Sequence, residues 1–213
     1  MQARGTHRSF GRGIALGVGA ALLAGSGIGV GLALARSPAR SHHHSALRAQ
    51  FQWAARSRQA PEFTLRDQNS RPLSLRALRG RVVLLTFLDS RCRLLCPLEG
   101  RELAAVVDRV PPAARPVLVV VSVNPWKDTP HSERAFAAHA RWTMSWHWLN
   151  GTTRTLGPVW RRYSIGVKPT MGDVTHSNGV YLIDRAGYER GGYLIPFAPA
   201  NLAHDVQALA ASS

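Results

Sequence analysis

"RVVLLTFLDSRCRLLCPLEGRELAAVVD", residues 81–108, passes from an unbroken apolar stretch through a short loop into a segment with helical spacing. "RVVLLTFL" has the length of a strand buried on both faces and is too short for a free-standing helix. The spacing of Leu98, Leu103, Ala104 and Val107 predicts a helix over 97–109, with Pro97 in the first turn, where the missing N–H costs nothing. Both cysteines of the chain, Cys92 and Cys96, fall in the connection.

Outward from that unit the pattern repeats. "EFTLRDQNSRPLSL", residues 62–75, alternates apolar and polar positions around a turn and reads as a hairpin. "RPVLVVVSV", ending at Val123, is a second buried strand, and "TPHSERAFAAHARW" opens a second helix with Thr129 as N-cap and Pro130 just inside. A short strand at Trp148 and Leu149, a third helix in "TRTLGPVWRRYSI", a strand and turn in "NGVYLIDRAG", and a last helix from Pro199 to Leu209 complete the series. Strands alternating with helices predict an α/β layer with a central mixed sheet, an N-terminal hairpin and flanking helices, the thioredoxin-like plan. At 213 residues the chain holds one such domain, read over 61–213.

The first sixty residues differ. A basic tail, residues 1–13, with Arg4, Arg8 and Arg12, precedes 22 uncharged residues at 14–35, enough to cross a hydrocarbon layer of roughly 30 Å as a helix. A single-pass anchor and a cleaved signal segment, with Ala33 and Ala35 at the cut, are both open; either exports the domain, onto the membrane surface or into the periplasm or medium. Residues 36–60 read as a linker, in which His42, His43 and His44 form a polar tether or a transient metal-binding tract. The net charge of +15 owes six arginines to the first fifty residues, leaving 21 basic and 12 acidic side chains in 51–213. With no zinc knuckle, sheet aromatic motif or recognition helix, nucleic acid is excluded as a partner.

The thiols at i and i+4 point to one side if they share a helical turn. They then suit one metal ion, a redox pair or a local structural bridge. Their place between a strand end and a helix start favours thiolate. His176, in "GDVTHSNGVYLID", is the candidate third donor: two thiolates and an imidazole are a soft set suited to Cu(I) and tolerated by Cu(II) or Zn. By spacing alone it is equally an ordinary surface histidine. "VKPT", residues 167–170, is the rival signal. A cis Pro169 beside Cys92 favours thiol-disulfide exchange, with Cys92 attacking and Cys96 resolving. Trp126, Trp142, Trp146, Trp148 and Trp160 are core edges or a docking surface, Met144 and Met171 core filler or soft copper contacts, and His131, His139, His147 and His204 have no spacing that compels a metal site.

Cys92 to Pro97, "VSVNPWKDTP" at 121–130, His176 ahead of a strand and "VYLIDRAG" at 180–187 together resemble the SCO/SenC family of membrane-anchored copper chaperones for cytochrome c oxidase. The resemblance covers roughly residues 60–210. It implies copper as cargo, held by Cys92, Cys96 and His176, with the oxidase copper-site subunit or an intermediary copper protein as partner. It also implies a supporting acid at Asp128, which orders the loop or orients charge near the site; by its place before Thr129 it is equally a capping residue or a surface salt-bridge partner. The chain departs from the family pattern at "RLL", residues 93–95, where a proline usually follows the first cysteine. It departs again at Asn124, in place of aspartate, and at Thr175 in place of the acid before the histidine. Asp173 is the expected substitute that orients the imidazole.

Overall fold

The computed structural model describes residues 46–171 and 173–212, all within one compact unit. In chain order the elements are β1 (Phe51–Gln52), β2 (Thr64–Arg66), β3 (Pro72–Ser74), β4 (Val83–Leu88), α1 (Leu95–Val107), β5 (Val117–Ser122), α2 (Pro130–His139), β6 (Trp146–Leu149), α3 (Thr153–Arg162), β7 (Val167–Pro169), β8 (Val174–His176), β9 (Val180–Ile183), β10 (Glu189–Tyr193) and α4 (Pro199–Ala211).

Six strands form the central sheet in the order β1-β10-β9-β4-β5-β6. β4, β5 and β6 run parallel, with Val83 opposite Val117 and Leu118 opposite Trp146, while β9 runs antiparallel to β4. Parallel neighbours need a crossover, and α1 and α2 supply the two. Every residue of β4 and β5 is buried, because successive side chains enter opposite cores. Leu84, Leu88, Leu118 and Val120 pack with Leu103 and Val106 of α1, Phe136 of α2 and Leu202 and Val206 of α4. Val83, Leu85, Phe87, Val119 and Val121 meet Leu156, Val159 and Trp160 of α3 on the other face. The period of two across two apolar layers is what made both strands uniformly apolar in sequence. This is the mixed-sheet, thioredoxin-like architecture expected, with β2 and β3 as the separate hairpin.

Thr129 caps α2 as read: its hydroxyl accepts the Ser132 N–H at 3.2 Å while Ser132 Oγ accepts the Thr129 N–H at 3.0 Å. α1 begins at Leu95, two residues earlier than the spacing implied, which takes Cys96 into the helix. Pro97 remains in the first turn, where its missing donor has no carbonyl to reach.

The linker reading fails over its described part. The buried carboxylate of Asp205 on α4 accepts the Arg48 N–H at 2.8 Å and the Ala49 N–H at 3.0 Å. β1 then adds to the sheet edge, Phe51 opposite Gly192, and Arg58 meets the buried Glu189 at 2.5 Å. Gly191 admits this approach: a Cβ there would lie 2.7 Å from Ala49 Cβ. The contacts are backbone pairing and buried polar satisfaction, neither of which has a hydrophobic period to betray it. Among the described residues no helix is long and apolar enough to cross a membrane. The basic tail, the apolar segment 14–35 and His42–His44 lie outside the described residues.

Candidate metal centre

The centre lies past the carboxyl ends of β4 and β5, where an α/β sheet opens a crevice. Asp89 follows β4 and turns the loop: Oδ1 accepts the Arg91 N–H at 2.7 Å, its carbonyl accepts the Cys92 N–H at 3.2 Å, and Oδ2 accepts Asn124 Nδ2 at 3.0 Å. Asparagine at 124 is thus complementary here, since a second carboxylate would face Asp89 with no donor between them.

Asp128 ties the same loop down. Oδ1 accepts the Ser90 N–H at 2.9 Å and the Ser90 hydroxyl at 2.6 Å; Oδ2 accepts the Ser122 hydroxyl at 2.6 Å and Trp148 Nε1 at 3.3 Å. Burial pushes its carboxyl up to about 6 against these hydrogen bonds. Of the roles open to it (loop ordering, charge orientation, capping or a surface salt bridge), these contacts fit the ordering of the loop.

Cys92 is half-buried in the loop and Cys96 is buried as the second residue of α1. They do not share a helical turn, which corrects the i, i+4 reading, yet both face the same cleft. Both thiols are free. The Cys96 thiol, helped by the backbone N–H groups of Cys96 and Leu94, holds Cys92 down at about 5 despite burial, and the same contact together with burial drives Cys96 far up. The two thiols titrate as a pair, the first proton leaving the half-buried Cys92 side more readily than the buried Cys96 side.

His176 ends β8. Its Nδ1 faces the Ser177 carbonyl at 2.9 Å, and Nε2 lies 3.9 Å from Cys96 Sγ. The carbonyl demands a proton on Nδ1, which leaves the Nε2 lone pair aimed at the thiols. Asp173 does not supply this orientation. Its Oδ1 accepts the Val174 N–H at 2.8 Å, so a backbone carbonyl does what the missing acid was expected to do.

Metal–sulfur and metal–nitrogen bonds of about 2.3 and 2.0 Å place such donors about 3.5–3.7 Å apart, close to the separation of Cys96 and His176. Among the described residues no three His, Cys, Asp or Glu side chains are drawn tightly enough to hold a metal ion. All three donors line one cleft of about 980 Å³.

Reading the sequence missed a residue beneath the thiols. Glu99 on α1 is wholly buried, takes a hydrogen bond from Thr86, and burial pushes its carboxyl up to about 8. The signal was present: Glu99 falls on the stripe that runs from Cys96 to Leu103 and Val106.

The SCO1/SenC family model matches residues 52–211. This chain belongs to the SCO1/SenC family. Among relatives, a protein of Stutzerimonas stutzeri named as copper-binding is 28% identical over 148 residues, 66% of this chain and 72% of that one. ScoI of Bradyrhizobium japonicum, solved with copper bound, is 25% identical over 71% of this chain and 99% of its own, with a TM-score of 0.62. Apo Sco1 of Thermus thermophilus shares the fold at a TM-score of 0.65 and 22% identity, over 77% and 99% of the two chains.

The remaining candidates of this SCO1/SenC chain disperse. Pro169 is exposed, pairs with Val174 in the β7–β8 hairpin, and does not line the thiol cleft; the cis bond among the described residues is Ile195–Pro196. Trp148 and Trp160 are core, Trp142 and Trp146 stack edge to face, and Trp126 is exposed. Met144 is core and Met171 is fully exposed at the hairpin tip. His147 meets Asp67 at 3.3 Å and His204 meets Asp205 at 3.0 Å, both away from the thiols.

Proposed function

We propose that this SCO1/SenC protein carries one copper ion on Cys92, Cys96 and His176 and delivers it during cytochrome c oxidase assembly. The observation that carries this reading is the approach of His176 Nε2 to Cys96 Sγ at 3.9 Å, its lone pair freed by the Ser177 carbonyl. Support comes from the donor set, soft enough for Cu(I), and from the copper-bound state of Bradyrhizobium japonicum ScoI and the name of the Stutzerimonas stutzeri relative. Copper is cargo and no turnover chemistry is required. Loading displaces the proton of Cys96, so affinity rises with pH; unloading proceeds as the thiolates of a recipient, the oxidase copper-site subunit or an intermediary copper protein, replace these donors one at a time. The domain sits on the extracytoplasmic side, tethered through residues 14–35 or released by their cleavage.

The test is copper bound by the reduced full chain and by its His176→Ala variant, with the ligands read by X-ray absorption. One copper with two sulfurs and one nitrogen, weakened by the substitution, is the expected outcome; no specific retention would sink the reading.

A second reading rests on one observation, the depression of Cys92 to about 5. A half-exposed thiolate backed by a thiol is the arrangement of a dithiol exchanger, with Cys92 attacking, Cys96 resolving and His176 dispensable. Mixed-disulfide trapping in Cys96→Ser with undiminished exchange in His176→Ala is the pattern it requires.

A further inference from the structure

Cys92 lines two clefts. One holds His176, and there Arg91, Arg93 and Lys127 stand with the carboxylates of Asp89 and Asp173. The other, about 570 Å³ between the cysteine loop and α2, has Arg91, Arg93, Arg101, His131 and His139 in its lining and no acidic side chain. The three arginines are exposed, and none takes part in a salt bridge among the described residues. The acid next to Arg101, Glu102, is directed instead at the Phe197 N–H, 3.3 Å away. The floor is apolar, formed by Phe136 and Ala140, and Leu94 stands at the lip 81% exposed. Cations concentrated in one concave wall beside a thiol steer an anionic partner and fix its register, while an exposed leucine gives the contact a dry centre.

We propose that the cleft between the cysteine loop and α2 is the docking surface for the protein that exchanges copper with this one, and that this partner presents an acidic segment beside its own thiol, its carboxylates on Arg91, Arg93 and Arg101 and an apolar side chain on Leu94. The inference rests on the copper-carrier reading and adds the direction of approach: the partner arrives at Cys92 from the α2 side, leaving Cys96 and His176 behind the loop. Charge selects the occupant. An uncharged or basic segment gains nothing from this wall; Arg91 and Arg93 border both clefts, but in the opposite one Asp89 and Asp173 offset them, whereas on the α2 side Arg101 adds to them with no acid in the lining, so the α2 side is the better seat for an acidic segment.

The test needs no copper. The reduced full chain, kept in detergent, is mixed with a synthetic peptide whose single cysteine is activated as a thionitrobenzoate mixed disulfide and flanked by four glutamates, or with its glutamine counterpart. The Cys92 thiolate attacks the peptide sulfur; a Cys92–peptide disulfide forms as the old sulfur–sulfur bond breaks and coloured thionitrobenzoate leaves with the electron pair. The glutamate peptide is expected to react about three- to tenfold faster at low ionic strength, with the advantage fading as the Debye length shrinks in salt. Arg93→Glu with Arg101→Glu should abolish or invert the preference, whereas Arg76→Glu with Arg109→Glu, the same charge change at exposed sites outside the cleft, should retain it. Equal rates for the two peptides, a preference that survives the cleft substitutions, or one lost equally with the distant pair each overturn the proposal. Copper retention is measured separately. Failure to hold copper beside a cleft-dependent preference removes the cargo reading and leaves the docking surface standing.

Discussion

The two sides of the metal centre are built differently. The cysteine side is an extension of the main sheet: Asp89, Ser90 and Asp128 close a buried hydrogen-bond network onto β5 and Trp148, and α1 carries Cys96 straight into the core. The histidine side is a two-stranded sheet of its own, β7 with β8, whose Lys168, Pro169, Met171 and Asp173 are exposed. At its base it is held by Ser177 N–H to the Gly166 carbonyl at 3.0 Å and Gly166 N–H to Ser177 Oγ at 3.1 Å. One side presets its donors, and the other brings its donor on a lightly fastened arm. Few buried contacts mean cheap local opening, so the His176 arm is the side of the candidate site that moves at least cost.

The largest expected effect breaks the comparison if it fails. Cys96→Ser, which removes a soft donor held in the core, should lower copper affinity further than His176→Ala, which removes the imidazole on the lightly fastened arm. Chelator competition measures both, and equal losses would show the arm to be as firmly set as the core side. Next in size, Asp128→Ala leaves the Ser90 N–H and the Trp148 indole without their acceptor and should destabilise the domain by about 2–3 kcal/mol, read as a lower urea midpoint. It should also slow Cys92 alkylation, because the loop that sets the thiolate loosens.

The smallest effect concerns Glu99. Its folded carboxyl titrates near 8, above the ordinary 4.5, so the proton binds more tightly in the folded state. The stability this contributes is present below about pH 4.5 and lost as pH rises through about 8. Urea midpoints should therefore fall from pH 5 to pH 8 and fall less steeply in Glu99→Gln. Asp128, near 6, and Glu133, near 7 through burial, keep part of the slope with the same sign.

What was legible in the sequence divides along physical lines. β4 and β5 announced themselves because burial on both faces forces apolar runs, and Thr129 announced α2 because capping has a local chemistry. The three candidate donors could be singled out only from several motifs taken together, since a histidine eighty residues from a cysteine has no local signature. Asp173 was a wrong partner for His176 because the true one, the Ser177 carbonyl, is backbone and leaves no trace in residue identity. Glu99 was overlooked because a buried neutral acid is written with the same letter as a solvated one. β1 escaped because two residues paired through backbone against glycines carry no pattern at all.

That inconspicuous strand has a practical consequence. A gene fragment started at Pro61, where the regular pattern begins, would strip β10 of its outer neighbour and leave the Asp205 carboxylate facing no amides. An open row of peptide donors and acceptors next to Gly191 and Gly192 is a template for another chain. Such a fragment would meet its own copies there and precipitate, so the shortest workable boundary lies ahead of Leu47.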